Sequence, residues 1–378
     1  MGRIGRGAVL LCVVGLGAGL WLWLHRDSAN PGKLAPASRQ EGANPAGKVP
    51  FSEPEARQGL RAAAAALKYR INRQDSQKIL DGLRESFSKL PTEATVAILR
   101  DFLDGGADGP TQLEFAVGLD GLLTGAPTLR VFLLDQLARV DRAAAAAYAR
   151  QILERMDSPD EWAVALRNLA LGAASAEVRA LLREKAGQML KHEPWQRNPS
   201  VGYLEAFDVA VHLGGTGLVP TLAGLVQLKD NPAVAHAAHL ALDRMVIQEP
   251  AATLNLLQAE PGLLAGRELA RADLFARADV RNAPQRQAVE NYLLSAQRSA
   301  AELNQFAGVF PNASFRISQN LLTRSLTPDF ATLAARDAGA LQAVNEWLAD
   351  PRFAQLKPQL EKIRRRLENF VRQAGGRE

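Results

Sequence analysis

The sequence predicts an all-α protein, a body of stacked helical pairs behind one membrane-crossing helix. Three observations lead there. From Ser52 onward no alternating strand pattern occurs, and short amphipathic segments follow one another instead. Most of their start signals lie 14 to 20 residues apart, so a helical pair repeats roughly every 30 to 40 residues, the range of two-helix solenoids. The chain is 47% apolar but only 6% aromatic, which suits a large core built from aliphatic and alanine side chains.

Residues 8–24 (AVLLCVVGLGAGLWLWL) form an apolar run of 17 residues without a charge. As a helix the run spans roughly 25 Å, near the short end of what crosses a bilayer. Trp21 and Trp23 suit the membrane–water interface, and Arg3 and Arg6 before the run favour a cytoplasmic N-terminus. The expected location is therefore a single pass through the inner (cytoplasmic) membrane, with the C-terminal domain periplasmic or otherwise extracytoplasmic. The rival reading is a cleaved signal peptide, but the run ends in Trp-Leu-Trp-Leu without a small-x-small site at the usual distance. The Ala35-Pro36-Ala37 triplet lies too far downstream and contains a proline. Gly15 and Gly19 have the spacing of closely packed membrane helices, although lipid-facing glycines account for it more simply. The sole cysteine, Cys12, lies in this run, which excludes an intrachain disulfide framework and a cysteine-based zinc site. Bulky Leu11 before it departs from the lipidation pattern.

Residues 1–26 thus read as a signal anchor and 27–50 as a flexible tether rich in Pro, Ala and Gly. Gly42 to Lys48 match seven positions of a phosphate-binding loop, but Val49 stands where a hydroxyl is needed and no strand precedes it. The body follows, with residues 51–300 as helical repeats and 301–378 as atypical capping helices. Ser52-Glu53-Pro54-Glu55 opens the first helix with a capping serine, an early proline and acids at the positive helix end. Further starts are expected at Asp75-Ser76, Pro91-Thr92, Pro110-Thr111, Pro127-Thr128, Asp141, Ser158-Pro159 and Ser175. Later ones are expected at Asn198-Pro199-Ser200, Thr216, Asn231-Pro232, Glu249-Pro250, Asn282 and Thr327-Pro328.

One unit is clearest. Val219 to Val226 reads as a first helix, Lys229 to Pro232 as a turn, and Ala233 to Val246 as a second helix. Val234, Ala238, Ala241, Leu242 and Met245 of that second helix share one stripe. The unit resembles a HEAT repeat, whose second helix reads Asp-x-x-x-Val-Arg-x-x-Ala followed by Ala-Leu. Asp230, Val234, Ala238, Ala241 and Leu242 match, whereas Ala235 replaces the arginine that makes the usual polar contact between repeats. A looser match covers Glu161 to Lys191, with Trp162, Leu166, Leu169 and Val178. The resemblance implies a right-handed, armadillo-type α-α superhelix. The Trp, Leu-Gly and Tyr positions of tetratricopeptide repeats are absent.

Candidate chemistry is sparse. His236, His239 and Asp243 lie at i, i+3 and i+7 on one helix face, a spacing that can present metal ligands, and His212 could add a fourth. A chance pair of histidines on an alanine-rich helix is the simpler reading. Ser86 and Lys89 satisfy Ser-x-x-Lys without its companion motifs. Gly214-Gly215-Thr216-Gly217 joins two helices and reads as a helix terminator. Phe306, Phe310 and Phe315 form an aromatic loop that either closes the end of the core or makes a contact knob. In the last helix Leu360, Ile363, Leu367 and Phe370 share one face, with Lys362 and Arg364 to Arg366 mainly on the remainder. No catalytic, cofactor-binding or metal-binding residue is assigned, and no enzyme activity is expected.

The net charge of +5 concentrates at the ends. Residues 1–50 hold six Lys/Arg against two Asp/Glu, and residues 357–378 hold seven against three. The helical body between them is close to neutral, which removes the electrostatic reason to expect nucleic acid. The expected function is a membrane-anchored scaffold or adaptor for a protein partner, with no small-molecule substrate and no cofactor. The alternative is a steric chaperone, because the layout is similar to lipase-specific foldases: an anchor, an Ala/Pro-rich linker and a helical body. Their Arg-x-x-Phe-Asp-Tyr signature is absent, and the nearest string, Ala206-Phe207-Asp208-Val209, lacks both the arginine and the tyrosine. A periplasm-dependent reporter fused after Pro50 should be active; activity confined to a cytoplasmic reporter would reverse the topology.

Overall fold

A computed structural model describes residues 52–375 apart from positions 70, 173 and 326. The apolar run at 8–24, the tether and the phosphate-loop-like string lie outside the described residues. Within the described residues no helix is long and apolar enough to cross a membrane.

Helices dominate, and most begin where a side chain can cap them. The first group is α1 (Glu53–Lys68), α2 (Arg73–Ser88) and α3 (Thr92–Asp104). Ser52 and Glu55 form a reciprocal capping box at the start of α1. The start of α2 is set by Asn72, whose side chain accepts from the Asp75 backbone N–H at 2.9 Å, three residues before the position expected from Asp75-Ser76. No helix starts at Pro110-Thr111. That stretch leads into a small antiparallel hairpin of β1 (Ala116–Val117) and β2 (Leu123–Gly125), and the Pro110–Thr128 bridge continues the pairing. Strands of two and three residues are too short to display an alternating pattern.

The next group is α4 (Leu129–Val140), α5 (Arg142–Ile152), α6 (Pro159–Gly172) and α7 (Ala176–Leu190). Thr128, Asp141 and Ser175 cap α4, α5 and α7 as their positions predict. The alanine run in α5 lets α6 approach closely, so that a Cβ on Gly172 would collide with the Ala146 side chain. Three short helices interrupt the rhythm: α8 (Glu193–Arg197), α9 (Val201–Glu205) and α10 (Asp208–Leu213). Pro194, Pro199 and the positive-φ pair Gly214-Gly215 punctuate them.

Then come α11 (Val219–Val226), α12 (Pro232–Gln248), α13 (Pro250–Ala259), α14 (Glu268–Phe275), α15 (Ala283–Leu294) and α16 (Ala300–Val309). Val234, Ala238, Ala241, Leu242 and Met245 of α12 are all buried, as their stripe predicts. So are Trp162, Leu166, Leu169 and Val178 in α6 and α7. A long irregular connection leads to α17 (Phe330–Ala349), a 3-10 turn (Pro351–Leu356) and α18 (Lys357–Gly375). Leu360, Ile363 and Leu367 of α18 are buried, and Phe370 packs on the core edge.

The packing is layered in sequence order. One series of contacts runs α4 to α6, α6 to α9, α10 to α12, α12 to α14, α14 to α16 and α16 to α18. The intervening helices pack on this series, with α5 on α6, α11 on α12, α15 on α14 and α17 on α18. One hydrophobic core runs from Ala56 to Leu367 without a break at residue 300.

Polar staples tie the series together. Arg167 of α6, wholly inaccessible to solvent at 0% exposure, reaches Asp135 of α4 at 2.6 Å. The same guanidinium holds the Gly121 carbonyl oxygen at 3.0 Å and the Asn168 side chain. Asp135 also accepts from the Leu123 N–H at 2.8 Å and from Arg139 at 2.9 Å. The pair therefore fastens the hairpin to two helices at once. Arg130 and Glu161 form a two-point pair between the same helices, and Arg271 and Glu302 another between α14 and α16.

Removing one partner of a buried ion pair costs about 3–5 kcal/mol, because the other charge is stranded. Arg167→Met should lower unfolding stability by that order. Combined with Asp135→Leu it should cost less than the sum of the two single changes, by about 1–3 kcal/mol. Urea unfolding of the four proteins measures this, and strict additivity would show that the pair does not act as a unit.

Candidate partner-binding site

Three of the residues singled out from the sequence sit on α12, whose polar side faces the connection between α16 and α17. His236 is exposed, and its Nε2 lies 3.3 Å from Arg316 of that connection. Asp243 does not face an open ligand position: both its carboxylate oxygens accept from Arg277, at 2.7 Å each. Burial holds His239 and His236 below the usual histidine range, and the Arg316 guanidinium pushes both further the same way. His212 lies on α10 and is also lowered by burial. No group of three or more metal-ligating side chains occurs among the described residues. Ser86 and Lys89 are engaged separately, Ser86 with the Gly82 carbonyl oxygen at 2.8 Å and Lys89 with Glu85 at 2.6 Å.

The aromatic segment divides. Phe306 belongs to α16, and Phe310 caps its C-terminus. Both are buried, in a ladder that runs Phe275, Tyr292, Phe306, Phe310, Trp347 and Phe353. Neighbouring rings in the ladder are 4.2 to 6.0 Å apart. Arg366 of α18 donates to the Ala307, Gly308 and Phe310 carbonyl oxygens, so one of the basic residues of the last helix ends α16 instead of facing solvent. Phe315 is different, with 45% of its surface exposed.

Residues 311–325 form a strap across the helix series. At its start the Asn312 N–H donates to the Ala276 carbonyl oxygen at 2.8 Å. Arg277 donates back to the Asn312 and Ser314 carbonyl oxygens, beside its pair with Asp243. The strap then passes His236 and turns at residues 320–323, where the Gln319–Arg324 bridge closes the bend. The turn plugs onto α10. Asp208 accepts from the Leu322 N–H at 2.7 Å, the Thr323 N–H at 2.9 Å and the Thr323 hydroxyl. Arg244 of α12 balances the Asp208 charge at 2.8 Å. Leu321 is buried, and its carbonyl oxygen rests on Gly121 of the β hairpin, where φ is +79° and a Cβ would collide with it.

Asp208 was visible in the sequence only as the odd member of Ala206-Phe207-Asp208-Val209. It is the anchor of the strap, and no spacing signal exposes a contact across 114 residues. The strap and the hairpin present apolar groups outward. Ile317 is 77% exposed, and Leu119 at the hairpin tip is 83% exposed. Comparison with protein-family models, curated proteins and solved structures finds no match to this chain.

Glu205, at the end of α9, is the unusual titrating group of this region. Burial pushes its carboxyl up to about 7, the neighbouring Asp208 charge adds to the rise, and Arg244 opposes it. An acid whose folded pKa exceeds its unfolded value of 4.5 holds its proton more tightly in the fold. Its contribution is most favourable below pH 4.5 and is lost as pH rises to about 7. Glu205→Gln should therefore flatten stability between pH 5 and pH 7 and stabilise the protein at pH 8 by on the order of 1–3 kcal/mol. Thermal unfolding across that range tests this, and an unchanged pH profile would remove Glu205 from the account.

Proposed function

We propose that the chain is a membrane-anchored, extracytoplasmic scaffold of HEAT-like repeats that binds a protein partner and catalyses no reaction. Its repeats stack as a right-handed superhelix of the armadillo type. The observation that carries the reading is the meeting of the strap, which crosses α10, α12 and the end of α14, with the β hairpin held on α4 and α6. There they leave Leu119, Phe315 and Ile317 exposed on irregular backbone that buried polar groups hold in place. Apolar side chains presented from firmly positioned loops suit contact with another protein. The packing of α4 on α6, of α6 on α9, and of α10, α12, α14 and α16 in turn supports the repeat reading, because successive units bury their faces against one another. The anchor rests on the 17-residue apolar run, its preceding arginines and its terminal tryptophans.

A photo-crosslinking residue placed at Leu119 or Ile317 in cells should give a discrete protein adduct, whereas one at exposed Glu93 of α3 should give none. Adducts at all three positions, or at none, would count against a dedicated binding surface.

A further inference from the structure

The strap meets the helices mostly through its main chain. Arg277 takes two of its carbonyl oxygens, the Ala276 carbonyl takes one N–H, and Asp208 takes two successive N–H groups. The side-chain contacts are few: the Asn312 amide to the Asp273 carbonyl oxygen, Arg316 at His236, and the Thr323 hydroxyl at Asp208. Residues 314–319 between the two anchor points are exposed, and their large apolar side chains, Phe315 and Ile317, point away from the core. Only Leu321 and Leu322 add apolar contact at the turn. A segment held in this way is bound as an extended peptide is bound, by backbone hydrogen bonds with a short side-chain pocket.

The geometry points to the Asp208–Arg244 site as a recognition site for an extended polypeptide segment of a partner, occupied at rest by the chain's own Leu321-Leu322-Thr323. This deepens the protein-binding reading and rests on it. The occupant it selects has two apolar residues followed by serine or threonine. Asp208 needs two consecutive N–H donors and a hydroxyl, and Arg244 keeps the carboxylate charge balanced whichever segment is seated. A partner enters by exchange: the turn leaves, its three hydrogen bonds pass to the incoming segment, and Arg277 with Asp243 still marks the path along α12 and α14.

The test uses the full chain and a fluorescent peptide with the sequence of residues 311–325. Thr323→Pro removes one donor and the hydroxyl from the resident turn, so the peptide should bind this variant saturably, and about tenfold or more tighter than it binds the parent. Adding Asp208→Asn to that variant should weaken binding by about tenfold, the scale of hydrogen bonds to a charged acceptor, and a scrambled peptide should not bind. Equal binding of the scrambled peptide, or none to a folded Thr323→Pro protein, overturns the proposal. Amide exchange on the unmodified chain gives a second reading that does not depend on the variant folding. The Leu322 and Thr323 amides should exchange about 100-fold faster than those of α12 around Leu242, because the turn opens without unfolding the core. Exchange at the α12 rate would show that the turn is a fixed part of the fold, and would overturn the proposal. Crosslinks at Ile317 together with failed peptide binding would leave the scaffold standing and remove only this site. Peptide binding without crosslinks at Leu119 or Ile317 would do the reverse.

Discussion

Guanidinium–carboxylate contacts between successively packed helices hold this body in register. Arg130–Glu161, Arg167–Asp135, Arg271–Glu302, Arg277–Asp243 and Arg244–Asp208 each join residues 31 to 36 positions apart, the length of one helical pair. They join α4 to α6, α10 to α12, α12 to the residue just past α14, and α14 to α16. Stacked helices with alanine-rich faces can slide along one another at little cost in apolar contact. A charge pair cannot slide, because a stranded buried ion costs several kcal/mol. The staples therefore fix which turn of one helix meets which turn of the next.

The same groups position the irregular segments. Asp135 and Arg167 hold the hairpin at Leu123 and Gly121, and Asp208 with Arg244 holds the strap at Leu322 and Thr323. Arg277 divides itself between Asp243 and the strap carbonyls. Three of the five staples, Arg167–Asp135, Arg244–Asp208 and Arg277–Asp243, thus also serve as loop anchors. Glu205 sits beside Asp208 with its proton shifted toward neutral pH, which couples this region to acidity.

The far end is closed by different means. The aromatic ladder draws Phe275 from α14, Tyr292 from α15, Phe306 from α16 and Trp347 from α17, and α18 packs on α16 and α17. Arg336 donates to the carbonyl oxygens of Arg277 and Ala278, and Arg366 to those that end α16. Arg366 thus ends α16, so the last helix is bound to the body through part of its basic face as well as its apolar stripe.

The helical class, the capped starts at Ser52, Thr128, Asp141, Ser175, Asn231 and Asn282, and the buried stripe of α12 are legible in the order of the amino acids. These are local properties: a cap acts within three residues and a stripe repeats every 3.6, so neighbouring letters carry them. The starts at Thr216 and Thr327-Pro328 fell within two residues of the observed caps, Leu218 and Asp329, for the same reason. It takes the folded chain to show that Pro110-Thr111 leads into a hairpin, that Phe306 and Phe310 turn inward while Phe315 does not, and that Asp208 anchors a segment more than a hundred residues away. The folded chain also shows that Asp243 pairs with Arg277 instead of joining His236 and His239 around an ion. Those outcomes depend on which charges the fold buries side by side, and burial, which makes such pairs costly to leave unmatched, comes into being only when the helices stack.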